Sequence, residues 1–135
     1  MNSAETSLME FTKFHDKFIN SWNEAMVSGD TSAVELMDEE YYVAFFASVK
    51  EKPFFFNKDD AISGMKQSVQ QFLGATKRFD HRVIRLKDNE HAIVFYEQAI
   101  EKDGQILSRL FTMENWQVVD NSWKLVREIE QPLGD

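Results

Sequence analysis

The sequence predicts an α+β fold in which helices come first and an antiparallel sheet follows. Three observations lead there. An apolar face at helical spacing opens the chain, a second helical stretch follows Pro53, and from Thr76 onward only strand-forming runs remain, separated by short turn sequences. The length of 135 residues suits one domain, so residues 1–135 are read as a single unit.

Phe11, Phe14, His15, Phe18, Trp22, Ala25 and Met26 recur at steps of three and four, which predicts a first helix from about Ser7 to Ser28, with Ser7 and Glu10 as a capping box. Gly29 suits a left-handed C-cap and Asp30 an N-cap, so a second, short helix is expected over Thr31 to Met37. The run Tyr41-Tyr42-Val43-Ala44-Phe45-Phe46 reads as a strand buried on both sides. Pro53 stops that region. Asn57, with Asp60 three residues on, caps a third helix whose apolar positions are Ile62, Met65, Val69, Phe72 and Leu73, ending at Gly74. Strands are then expected over Thr76 to Lys87, His91 to Glu101, Gln105 to Val119 and Trp123 to Glu130. The turns between them are too short for parallel crossovers, so these strands pair antiparallel.

Composition excludes several functions. A net charge of −8 repels phosphate backbones and anionic headgroups, so neither nucleic-acid nor membrane binding is expected. Without cysteine there are no disulfides, thiol nucleophiles or Cys-ligated zinc. Met1-Asn2-Ser3-Ala4-Glu5 shows no basic n-region, and the longest apolar run, Tyr41 to Ala47, is far too short to span a bilayer, so a cytoplasmic protein is expected. The dispersed glycines form no phosphate loop. His15, His81 and His91 have no metal-ligating spacing, and Asp38-Glu39-Glu40 and Asp59-Asp60 lack calcium-loop spacing. No cofactor and no metal are expected, and no catalytic residue is assigned. Asp38 and Glu39, read as the end of the second helix, are not expected to act as bases.

The last hairpins are more informative. If Asp103-Gly104 is a two-residue type I′ loop, Gln98 lies opposite Arg109, Tyr96 opposite Phe111 and Val94 opposite Met113. A loop one residue longer puts Glu97 opposite Arg109 instead. Both faces of this sheet are substantially apolar, and the helices can cover only one.

The element order resembles that of the nuclear transport factor two-like superfamily, which includes ketosteroid isomerase and SnoaL-like cyclases. The local matches are Trp22-Asn23-Glu24-Ala25 before Ser28-Gly29-Asp30, Asn57-Lys58-Asp59-Asp60-Ala61-Ile62 opening the third helix, and the ending Arg109, Thr112, Trp116 and Asp120-Asn121-Ser122-Trp123-Lys124-Leu125-Val126. The resemblance implies a curved antiparallel sheet wrapped by three N-terminal helices into a cone with an apolar pocket, and dimers through the outer sheet face. In the isomerase branch an Asp base comes early in the first strand. The stretch Val43-Ala44-Phe45-Phe46 carries no acid there. For the His and Asp of the cyclase branch, His81 and Glu114 are the nearest stand-ins.

The reading that follows is a protein binding a small, largely apolar ligand, with an anionic group as one option. Its pocket is expected to be lined by Phe14, Phe18, Tyr42, Tyr96 and Phe111, with Gln98 and Arg109 as orienting polar groups. The alternative is an isomerase, cyclase or dehydratase working by acid–base chemistry in that pocket. A homodimer is expected through a sheet face carrying Phe95, Leu110, Thr112 and Trp116.

Overall fold

A computed structural model of the chain describes residues 3–47 and 52–133. Helix α1 (Ser3–Ser28) leads through a 3-10 turn (Ser32–Val34) into strand β1 (Met37–Phe45); strand β2 (Phe54–Asn57) runs directly into helix α2 (Lys58–Gln71). Four long strands follow: β3 (Thr76–Asp88), β4 (His91–Lys102), β5 (Gln105–Val119) and β6 (Ser122–Pro132). They form one six-stranded sheet in the order β2-β1-β6-β5-β4-β3. All neighbouring pairs are antiparallel except β1 with β6, which run parallel. No described helix is long and apolar enough to cross a membrane.

The helix count differs from expectation. The segment read as a second helix holds one turn only, because Leu36 already accepts a hydrogen bond from Leu125 N and Met37 pairs with Leu125. A seven-residue helix is marginal by itself. Here the unpaired edge of β6 offers the same backbone a ladder, so Asp38 and Glu39 stand in β1 rather than at a helix end. Their surroundings are unremarkable: the Asp38 carboxylate accepts from Glu40 N and Glu39 is paired with Lys58. Helix α1 also begins earlier than expected, which places Ser7 inside it, donating to Asn89 Oδ1 rather than capping.

Other local signals match the structure. The Asn57 side chain accepts from Asp60 N at 2.9 Å and caps α2. Gly29 ends α1 at a φ of +82°, where its amide reaches Ala25 O and Gln70 lies too close for a side chain to fit easily. Asp103 and Gly104 both have positive φ, as a type I′ turn requires, and Lys102 pairs with Gln105.

The register departs one step beyond that turn. Glu101 pairs with Ile106 but Ile100 with Ser108, so Leu107 is an extra residue that moves every later partner by one. Ala99 consequently lies opposite Arg109, Tyr96 opposite Thr112 and Val94 opposite Glu114. The bulge thereby reverses which β5 residues face inward. A second bulge in β3, at His81 and Arg82, likewise changes the inward residues from Lys77 and Phe79 to Ile84 and Leu86. The core lies between the inner sheet face and the two helices, centred on Phe11, Phe18, Val94, Trp116 and Leu125.

Candidate functional site

Every strand and both helices contribute to one cavity of about 320 Å³ on the inner face of the sheet. A cavity bordered by all six strands requires the sheet to curve around it. Its walls are apolar, with Phe18, Trp22, Met26, Val43, Met65 and Leu125 among them. Polar groups enter from Tyr41, Lys77, Gln98, Glu114, Glu128 and Glu130.

The carboxylates meet because of pairing. Val94, Glu114, Glu128 and Val43 form one cross-strand row, and Tyr96, Thr112, Glu130 and Phe45 form the next. Glu114 and Glu128 are thus direct neighbours on adjacent strands, where two like charges destabilise a sheet. The two carboxyls are differentiated by their partners.

Glu114 is buried and accepts three hydrogen bonds: from His15 Nε2 at 2.8 Å, Trp116 Nε1 at 2.9 Å and Tyr96 OH at 2.7 Å. Arg82, re-aimed by the β3 bulge, approaches His15 Nδ1 at 3.0 Å and Asp16 at 2.6 Å. A guanidinium has no acceptor, so His15 Nδ1 accepts and Nε2 carries the hydrogen given to Glu114; the tautomer is assigned from these partners. Burial disfavours the Glu114 carboxylate, but the hydrogen bonds from His15, Tyr96 and Trp116 outweigh it and hold the group below its ordinary pKa. Glu114 is the ionised member of the row.

Glu128 has a different environment. Among the described residues its one protein donor is Tyr41 OH, 2.7 Å from Oε1. Burial, with the Glu130 and Glu114 charges, pushes the Glu128 carboxyl well above the usual range, against the pull of Tyr41 and Lys77. Glu130 is raised too, chiefly by burial. The Tyr41 phenol stays protonated, because burial and the adjacent Glu128 raise it far beyond its ordinary value. Tyr41 and Glu128 form a hydrogen-bonded pair on the cavity wall, both shifted by burial toward their protonated forms.

Lys77 completes the polar end. Its Nζ sits 3.3 Å from the Trp22 ring centroid and 5.7 Å from that of Phe79. Burial pulls the amine down to about 8, although the three glutamates oppose this. Its backbone is clamped by Asn23, whose side chain accepts from Lys77 N at 3.0 Å and donates to Lys77 O at 3.1 Å. Adjacent residues of α1 therefore hold both the peptide and the ammonium of Lys77.

Of the residues anticipated from sequence, Phe18, Tyr96 and Gln98 line the cavity; Phe14, Tyr42, Arg109 and Phe111 do not. Phe14 packs in the core against Phe11, Trp116 and Trp123. Tyr42 lies on the outer face against Phe55, because β1 turns its odd-numbered residues inward. The β5 bulge turns Phe111 and Arg109 outward, where Phe111 contacts Phe95 and Arg109 reaches Glu97 at 3.3 Å. The same shift turns Leu110 to the cavity and puts Thr112 and Trp116 inside at 1% exposure, so none of the three belongs to the bare face assigned to them. Glu114 finds a histidine partner in His15; His81 is exposed in the β3 bulge.

From sequence, Tyr41 reads as part of a buried strand, and Lys77, Glu128 and Glu130 carry no site assignment. A weak signal exists for Lys77, which shares the period-two phase of Phe79 at the start of an amphipathic strand. Glu128 and Glu130 alternate with Arg127 and Ile129, a pattern that does not say which face is inside.

No family model matches the sequence, and no curated protein matches it. The fold is far better represented. An NTF2-like protein with a cystatin-like fold from Novosphingobium aromaticivorans superposes with a TM-score of 0.71 at 14% identity, covering 97% of this chain and 87% of the other. The chain has the nuclear transport factor two-like fold. A second structure with this fold, an NTF2-like protein of unknown function from Pseudomonas putida, gives a TM-score of 0.68 at 11% identity, covering 100% and 91% of the two chains. A candidate ketosteroid isomerase from Parabacteroides distasonis gives 0.60 at 16% identity, covering 85% and 84%. At such identities the likeness concerns the nuclear transport factor two-like architecture, while the chemistry of the cavity has to be argued from its own side chains.

Proposed function

We propose that this chain binds a small, largely apolar molecule in the cavity, with a hydrogen-bonding head at the Tyr41–Glu128 end. The observation that carries this reading is the cavity itself: about 320 Å³ lined mainly by apolar side chains, with a set of polar groups that includes the hydrogen-bonded Tyr41–Glu128 pair. Four acids, Asp60, Glu114, Glu128 and Glu130, line the cavity against one lysine, which disfavours an anionic ligand. Native mass spectrometry of freshly purified protein is expected to detect a retained small molecule.

A direct test uses the neutral apolar fluorophore N-phenyl-1-naphthylamine. Gly64 borders the cavity, and a Cβ there would meet nothing within 4 Å, so Gly64→Phe fills space without displacing backbone. The fluorophore is expected to bind saturably, with affinity reduced about 10-fold or more by Gly64→Phe, equivalent to about 1.4 kcal/mol. Equal affinity of the two proteins would sink the reading.

The Tyr41–Glu128 pair favours a second reading, an isomerase, cyclase or dehydratase. A carboxyl that keeps its proton in an apolar cavity is suited to protonating a carbonyl oxygen, and the neighbouring Glu130 supplies a base. The distinguishing outcome is exchange of the α-protons of a cyclic ketone in deuterated water, lost with Glu128→Gln.

We also propose that a homodimer forms through the outer sheet face, on residues other than Leu110, Thr112 and Trp116. Val83, Phe95, Met113 and Ile129 are successive cross-strand partners there, with Val83 40% and Ile129 36% exposed. Sedimentation should show a dimer that Met113→Glu converts to a 15.8 kDa species.

A further inference from the structure

The geometry points to Lys77 as an amine that forms an imine with a carbonyl ligand, aldehyde or ketone, held in the cavity. This rests on the pocket reading and specifies its ligand class. Four observations support it. Lys77 lines the cavity and is only 9% exposed. Among the described residues no carboxylate oxygen lies within 4.0 Å of its Nζ, so the amine is not committed to an ion pair. Trp22 beneath it and the two Asn23 hydrogen bonds to its peptide fix where the side chain emerges. Glu128, with Tyr41 donating to it, and Glu130 border the same space.

A lysine buried merely for packing is better replaced by an apolar residue of similar length, and one buried for charge is found paired. Lys77 fits neither description. A buried amine that rests on the Trp22 ring without a carboxylate partner, in a cavity that Glu128 also lines, has the composition that activates lysine as a nucleophile. With its pKa pulled down to about 8, roughly a tenth of the amine is neutral at pH 7, against well under a thousandth for an ordinary lysine.

The step balances within the site. The Nζ lone pair adds to the carbonyl carbon, and the C=O π pair moves to oxygen, which is protonated to give a carbinolamine. Water then departs with two hydrogens, one from the amine and one from Glu128. Neutral amine, carbonyl and carboxylic acid thus become iminium, water and carboxylate, and no oxidant or reductant is required. The new cation is formed in a cavity that the new Glu128 carboxylate and Glu130 also line, which gives those acids a role that binding an apolar ligand alone does not.

The test treats the full chain at pH 7 with 2-naphthaldehyde and sodium cyanoborohydride. The hydride converts the imine to a secondary amine, and peptide mapping locates it. Lys77 is expected to be modified at least about 10-fold faster than any other lysine, with naphthalene slowing Lys77 alone. Lys77→Met should lose the fast modification. If that variant does not fold, the wild-type map decides the matter by itself. Binding of the fluorophore without preferential Lys77 modification would overturn the imine and leave the pocket reading standing. Failure of the fluorophore to bind in a Gly64-sensitive way would overturn both.

Discussion

Glu114→Ala is expected to lower the free energy of unfolding by about 3–5 kcal/mol, the usual loss when one partner is removed from a buried charged network. The variant leaves the His15 Nε2–H, the Trp116 Nε1–H and the Tyr96 hydroxyl without their acceptor, in residues no more than 3% exposed. Each orphaned donor costs about 1–3 kcal/mol, and partial repacking limits the sum. A small domain is stable by about 5–15 kcal/mol in total, so this single change removes a large share. Glu114→Gln is expected to be much milder, because its amide oxygen keeps the His15 and Trp116 bonds and its NH₂ faces the Tyr96 hydroxyl, which accepts as well as donates. Urea unfolding measures both. A loss below about 1 kcal/mol for Glu114→Ala would show that the network is not formed.

Glu128→Gln should act in the opposite direction, and in a pH-dependent way. The Glu128 carboxyl titrates above its unfolded value of 4.5. Between 4.5 and that raised value the folded chain holds a proton the unfolded chain has released, so stability falls as pH rises through this window. Glu130 contributes in the same sense. Glu114, held below 4.5, works in reverse: its contribution is present above 4.5 and is lost as pH falls through the folded value. Removing the acid at position 128 should therefore stabilise by about 1–2 kcal/mol at pH 7, the scale of one buried group poorly suited to its charge, and by almost nothing at pH 4. The Lys77 amine does not confuse the comparison, since it titrates between about 8 and 10.5. Equal destabilisation by Glu128→Gln at both pH values would refute the assignment.

These two residues show how far sequence reading reaches. Helical spacing in α1 and α2, the Asn57 cap, the Gly29 stop and the type I′ residues Asp103-Gly104 are all decided within a few positions of chain, where steric limits and local hydrogen bonds act. Those signals were sufficient for an α+β order, for the antiparallel meander and for the resemblance to the nuclear transport factor two-like superfamily. They placed Phe18, Tyr96 and Gln98 on the side that the helices cover.

What tertiary structure decided was the site's polar half. A strand's side chains alternate with a period of two, so one extra residue exchanges its faces, and no local signal announced the bulges at Leu107 or at His81 and Arg82. The first sends Glu114 and Trp116 inward and Arg109 outward; the second aims Arg82 at His15. The helix anticipated over Thr31 to Met37 gave way to β1 because β6, some 90 residues later, presents an edge that binds the same backbone more completely than one isolated turn could. That parallel pairing brings Tyr41 to Glu128, and the meander then sets Glu128 beside Glu114. Each element is specified locally, but which acid keeps its proton depends on neighbours contributed by other strands, and only the assembled sheet supplies them.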